Sequence, residues 1–92
     1  MSKAEFTKGP YKVKQESPDT FIVRDSRGAG ICSIRGHRKR AVTRAKADAH
    51  LLAAAPEMYD LLDTIENDAG QVPQWLWDRI QTTLAKARGE AT

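Results

Sequence analysis

Ile31-Cys32-Ser33-Ile34-Arg35-Gly36-His37-Arg38-Lys39-Arg40-Ala41-Val42-Thr43-Arg44-Ala45 is where the pattern of the chain changes. Ile31 to Ile34 is short, apolar-rich and bounded by Gly30 and Gly36, the pattern of a strand. From about Arg38 to Ala54 the chain is dominated by Ala, Leu, Arg and Lys, all strong helix formers. Val42, Ala45, Ala49 and Leu52 then recur at helical spacing and are expected to face inward. Strands therefore precede this stretch and helices follow it.

Working back from it, Ser26-Arg27-Gly28-Ala29-Gly30 is a loop of hairpin length. Thr20-Phe21-Ile22-Val23-Arg24 is a β-branched and aromatic strand. Ser17-Pro18-Asp19 is a turn, and Tyr11-Lys12-Val13-Lys14 alternates apolar with basic as a strand with one wet face does. Connections this short require antiparallel pairing. The three successive apolar residues of the second strand, Phe21, Ile22 and Val23, leave open which sheet face the helices cover.

Working forward, Pro56 is expected to end the first helix and to open a second. Met58, Leu61, Leu62 and Ile65 form the apolar stripe of that second helix, with Glu57, Asp60, Asp63 and Glu66 off it. Pro73 opens a third, with Leu76, Ile80, Leu84 and Ala87 inward. Lys86 and Arg88 near its end and Gly89 as its stop suit the helix dipole and the C-cap. The fold expected is α+β: a three-stranded antiparallel meander followed by three helices, in two layers and one domain over residues 1–92. Residues 1–9 form an N-terminal arm, 10–35 the β-meander, 38–88 the helices and 89–92 a frayed tail.

Ninety-two residues build one modest core. The chain contains no apolar run of the roughly 20 residues that span a membrane, and its start lacks a signal-peptide apolar region. One cysteine, Cys32, forms no internal disulfide and points to a reducing compartment. Two histidines without Cys-x-x-Cys give no zinc pattern. Cys32 reads as a small apolar strand residue and His50 as partly buried within a helix. Trp75 and Trp77, two apart, place one indole inward and one at a rim. No cofactor, no metal, no small-molecule substrate and no catalytic constellation are expected, so the sequence reads as a binding protein and not an enzyme.

Charge carries the functional signal. Residues 1–47 hold twelve Lys and Arg against four acids, a net of +8, whereas residues 48–92 net −5. Between Ser26 and Ala47 there are seven basic residues and no acid, the pattern of a surface used on a polyanion. Arg38, Lys39 and Arg40 fall at an expected helix N-terminus, where the macrodipole is already positive. Arg40 and Arg44, four apart, repel each other. Stability alone would favour Asp or Glu there. Backbone N–H groups and arginine forks at a helix start do suit phosphate. The candidate contact residues are Arg35, His37, Arg38, Lys39, Arg40, Arg44 and Lys46, with Arg27 at the hairpin tip. Setting this against the simpler account, a solvated charged face, the cost of the placement favours binding.

Ala47-Asp48-Ala49-His50-Leu51-Leu52-Ala53-Ala54-Ala55-Pro56-Glu57-Met58 resembles a pattern of small bacteriophage proteins, a β-meander followed by an Ala-rich helix, Ala-Ala-Pro-Glu and a Leu-rich helix. The likeness covers about residues 10–66. The chain departs from the common form at Asp48-Ala49-His50, where Asn-Ala-Arg is usual, and by its Trp-bearing last helix. The whole chain, with its length and its Gly36–Arg40 run, resembles the eighth family of type I-F anti-CRISPR proteins. That resemblance implies a phage-encoded, non-catalytic inhibitor in the host bacterial cytoplasm. It would dock on the host type I-F CRISPR surveillance (Csy) complex, touching the large subunit, backbone subunits and guide RNA, and block hybridisation of target DNA. A monomer is the expected form. The alternative carried by charge alone is a small basic nucleic-acid-binding accessory or regulatory protein.

Overall fold

A computed structural model describes residues 5–90; the ends of the expected arm and tail, residues 1–4 and 91–92, lie outside the described residues. The element order is β1 (Lys12–Ser17), β2 (Thr20–Arg24), β3 (Gly30–Arg35), α1 (Lys39–Asp63) and α2 (Gln74–Ala87). The chain divides into two compact units, one of residues 7–57 and one built on residues 58–90 with Phe6.

In the first unit, β1-β2-β3 form an antiparallel sheet in sequence order, the expected meander. Val13 pairs with Val23 and Val23 with Cys32, while Phe21 pairs with Ile34. Directly opposed residues share a face, so these side chains define one face. Phe21, Val23, Ala45 and Ala49 are buried together, with Tyr11, Val13, Cys32, Ile34, Val42 and Ala53 packed around them. The register thus answers the question left by Phe21-Ile22-Val23: the helix covers the face of Phe21 and Val23, and Ile22 lies on the other. The α1 residues in this core are small, Ala45, Ala49 and Ala53 beside Val42. The inward row is Val42, Ala45, Ala49 and Ala53; Leu52, expected inward, is 44% exposed.

The expectation of three helices is corrected to two. Residues 39–63 form one helix with Pro56 inside it. Proline removes one helical hydrogen bond, that to the carbonyl of Leu52 four residues back. Pro56 is buried, and Gly9 lies against it so tightly that a Cβ there would be 2.8 Å from the Pro56 Cβ. This packing and strong helix formers on both sides offset the roughly 3 kcal/mol that an interior proline costs.

In the second unit, Ile80 and Leu84 of α2 are buried, while Leu76, also expected inward, is partly exposed and Ala87 is exposed. Of the stripe Met58, Leu61, Leu62 and Ile65, the last two are half-buried, but Met58 and Leu61 are 45% and 68% exposed. Pro73 precedes α2, its carbonyl accepting from the N–H groups of Leu76 and Trp77. The helix ends as expected at Gly89, in the left-handed region at φ +80. The Gly89 N–H donates to Lys86 and that of Glu90 to Ala85, the paired bonds of a Schellman cap. The Arg88 guanidinium donates to Glu90 at 2.7 Å and to the Tyr59 hydroxyl at 3.2 Å, which holds its pKa above the ordinary arginine value. The Phe6 and Tyr59 rings meet edge to face.

Candidate functional site

The basic run lies on the connection between β3 and α1. Asp19, in the β1–β2 turn, fixes that connection from two directions. Its backbone carbonyl accepts the Gly36 N–H at 2.9 Å. Its carboxylate accepts the hydroxyls of Ser17 and Thr20 at 2.8 and 2.9 Å and the Nε of Arg35 at 3.2 Å. Hydrogen bonds from Ser17, Thr20 and Arg35 lower its pKa to about 2.

Gly36 is buried. A Cβ there would overlap the carbonyl of Ala41 and the amide nitrogen of Val42, so the chain passes directly over the first turn of α1. No other residue allows that approach. His37, Arg38, Lys39 and Arg40 follow at once, and all are exposed. The Arg38 carbonyl accepts the Val42 N–H at 2.7 Å, starting the helix. No acid stands in the first turn of α1. Among the described residues, Arg38, Lys39, Arg40, Arg44 and Lys46 make no ion pair.

Helical spacing puts Arg40 and Arg44 on the face of α1 opposite its buried row, and Lys39 and Lys46 along one edge of that row. Exposed cations therefore run from one edge of the buried row round to the outward face of the helix start. Arg35 belongs to the same place but is tied to Asp19, so it anchors as well as contributing charge. Arg27 does not join this group. It sits in the β2–β3 hairpin, at the opposite end of the six-residue strand β3, a separation of about 17 Å along the strand.

The sheet carries cations that the charge run does not include. On its open face Lys12 lies directly opposite Arg24, and Lys14 opposite Ile22. Lys12 and Lys14 are exposed. The pairing register sets these cations on one open face; the sequence names Lys12, Lys14 and Arg24 as possible members of the surface but leaves open which face the helices cover. His37 and His50 are both exposed, His50 against expectation. Cys32 is free and half-buried beside the core. Trp75 is 64% exposed and Trp77 half-buried. Among the described residues no group of His, Cys, Asp and Glu could hold a metal ion, and no helix is long and apolar enough to cross a membrane.

These features define a small α+β protein with a cationic, acid-free helix start as its most distinctive surface. A family model for the Salmonella phage P22 protein Y8K6 matches residues 1–91, and the chain belongs to that bacteriophage protein family. Neither the curated proteins nor the solved structures include a match.

Proposed function

We propose that this phage protein is a non-catalytic inhibitor that docks on a ribonucleoprotein, with His37, Arg38, Lys39, Arg40, Arg44 and Lys46 set against RNA phosphates and Arg35 holding the run in place. The target is the type I-F surveillance complex, as the sequence resemblance implies. Binding takes place in the host cytoplasm, as a monomer, and covers the guide so that target DNA does not pair with it. Pairing from the seed onward proceeds with little free energy to spare per step, so a small protein over the seed blocks it without an active site.

One observation carries the reading: unpaired cations crowd a helix N-terminus that would be more stable with acids, and Gly36 and Asp19 hold that start firmly. Cations at that end are unfavourable by about 0.3–1 kcal/mol each, a cost that contact with phosphate reverses. The test is co-purification with reconstituted type I-F surveillance complex, with a target-DNA gel shift on the same samples. The proposal expects association and loss of DNA binding. No association, or association that leaves DNA binding intact, contradicts it and favours the alternative of a nucleic-acid-binding accessory protein.

A further inference from the structure

We propose that the open face of the sheet is a second polyanion surface, one that takes the phosphodiester backbone of a nucleic acid independently of the run on α1. Its residues are Lys12, Lys14 and Arg24, with Lys8 and Arg27 beyond the strand ends, lining one notch at the hairpin end.

The register supplies the first argument. Lys12 and Arg24 are directly opposed on adjacent strands, and like charges so placed destabilise a sheet. Lys14 adds a third cation two residues along, about 6.8 Å away on the same face, a step comparable with that between successive phosphates of an extended strand. A face shaped by stability alone would set a carboxylate, not Arg24, opposite Lys12.

The second argument is the hairpin end. Lys8 and Arg27 line a notch of about 300 Å³ together with Thr7, Gly9, Asp25 and Ser26. The Asp25 carboxylate there is already engaged, accepting the N–H groups of Arg27 and Ala29, each at 2.9 Å. Gly28, at φ +87, lets the turn close. Arg24 reaches into this loop, its Nη1 donating to the Gly28 carbonyl at 2.8 Å, while its Nε is buried without a partner.

The third argument selects the occupant. An acidic protein partner would be held by large buried anchors at the centre of its interface. This face has no aromatic side chain on its strands; half-buried Ile22 and Ile31, 39% exposed, are its only large apolar groups. It can grip charge but has nothing to stack bases on, so it reads the backbone and not the sequence.

The test is fluorescence anisotropy with single-stranded RNA and DNA of one mixed sequence, about 20 nucleotides long, titrated from about 25 to 200 mM salt. The variants are K12Q/K14Q, R38Q/K39Q/R40Q and the two combined. Arg24 is left in place because it secures the hairpin. Losing two phosphate contacts on a single strand reduces the slope of log affinity against log salt by about 1.4. The proposal expects that reduction from K12Q/K14Q in the wild-type and in the R38Q/K39Q/R40Q background, equally for RNA and DNA. Ser33→Glu, which sets a carboxylate on the same face opposite Ile22, weakens binding as well. Unchanged slopes for K12Q/K14Q in both backgrounds overturn the second surface, whatever the run does. A tenfold or greater preference for RNA over DNA overturns the backbone-only reading. Loss of surveillance-complex docking in R38Q/K39Q/R40Q, with the K12Q/K14Q slope change intact, separates this surface from the function proposed above.

Discussion

Residues 7–57 and residues 58–90 solve the same packing problem differently. In the first unit the buried side chains are Phe21, Val23, Ala45, Ala49 and Pro56, and the chain passes close by at two glycines, Gly9 against Pro56 and Gly36 against the first turn of α1. In the second the buried apolar residues are Ile80 and Leu84, while Met58, Leu61, Trp75 and Leu76 are exposed. Charge divides the same way: the first unit carries eleven Lys and Arg against five acids, and residues 58–90 carry three against six. A unit held by close backbone contacts and a pinned turn can carry crowded like charges on its surface. The other depends on two aliphatic side chains and a well-made helix cap.

That contrast predicts where each unit fails. Leu84→Ala removes half of the buried aliphatic pair of the second unit and should cost about 2–5 kcal/mol in urea unfolding; a cost below about 1 kcal/mol would mean that Leu84 is not central there. In the first unit the weak point is a glycine. Gly36→Ala forces a methyl into the backbone of Ala41 and Val42 and should cost about 3 kcal/mol, the upper part of the overpacking range. Gly30→Ala, with open space around its Cβ, should be neutral or stabilising by up to about 1 kcal/mol. Equal effects from the two glycine changes would remove the distinction between them.

A smaller effect is expected from pH. Asp19 titrates at about 2 when folded, against 3.8 ordinarily. Its folded pKa is depressed, so its contribution is present above the unfolded value and is lost as pH falls from about 4 toward 2. Denaturation midpoints of the wild type and Asp19→Asn should therefore differ at neutral pH and converge across that window. A difference that persists unchanged at pH 2 would show that the carboxylate charge is not what pins the β3–α1 connection. Smallest of all, Leu61→Ser on the exposed side of the second unit should shift stability by no more than about 0.5 kcal/mol, as read by thermal melting. A larger loss would reveal packing around Leu61.

The strands were legible because each turn carried its own signal. Thr20–Arg24 has the bounds expected, and the flanking strands differ from theirs by a few residues at their ends. The helix count was not legible. Proline at a first helical turn and proline inside a helix look alike locally, and the partner that accommodates Pro56, Gly9, lies far away in sequence. The basic run on α1 could be read directly because its residues are consecutive. The Asp19 anchor could not, since a Ser17-Pro18-Asp19 turn says nothing about an arginine sixteen residues on. Nor could the opposition of Lys12 and Arg24, which exists only once the register is set.

In the function proposed, the run at the start of α1 is the contact with the surveillance complex. The most direct measurement is the affinity of the wild type and of R38E/K39E/R40E for reconstituted type I-F complex, with circular dichroism to establish that both are folded. Truncating one partner of a close interfacial charge pair costs 2–5 kcal/mol or more, so reversing three charges should weaken binding at least about a hundredfold in a folded protein. Wild-type affinity in the folded triple variant would contradict the claim.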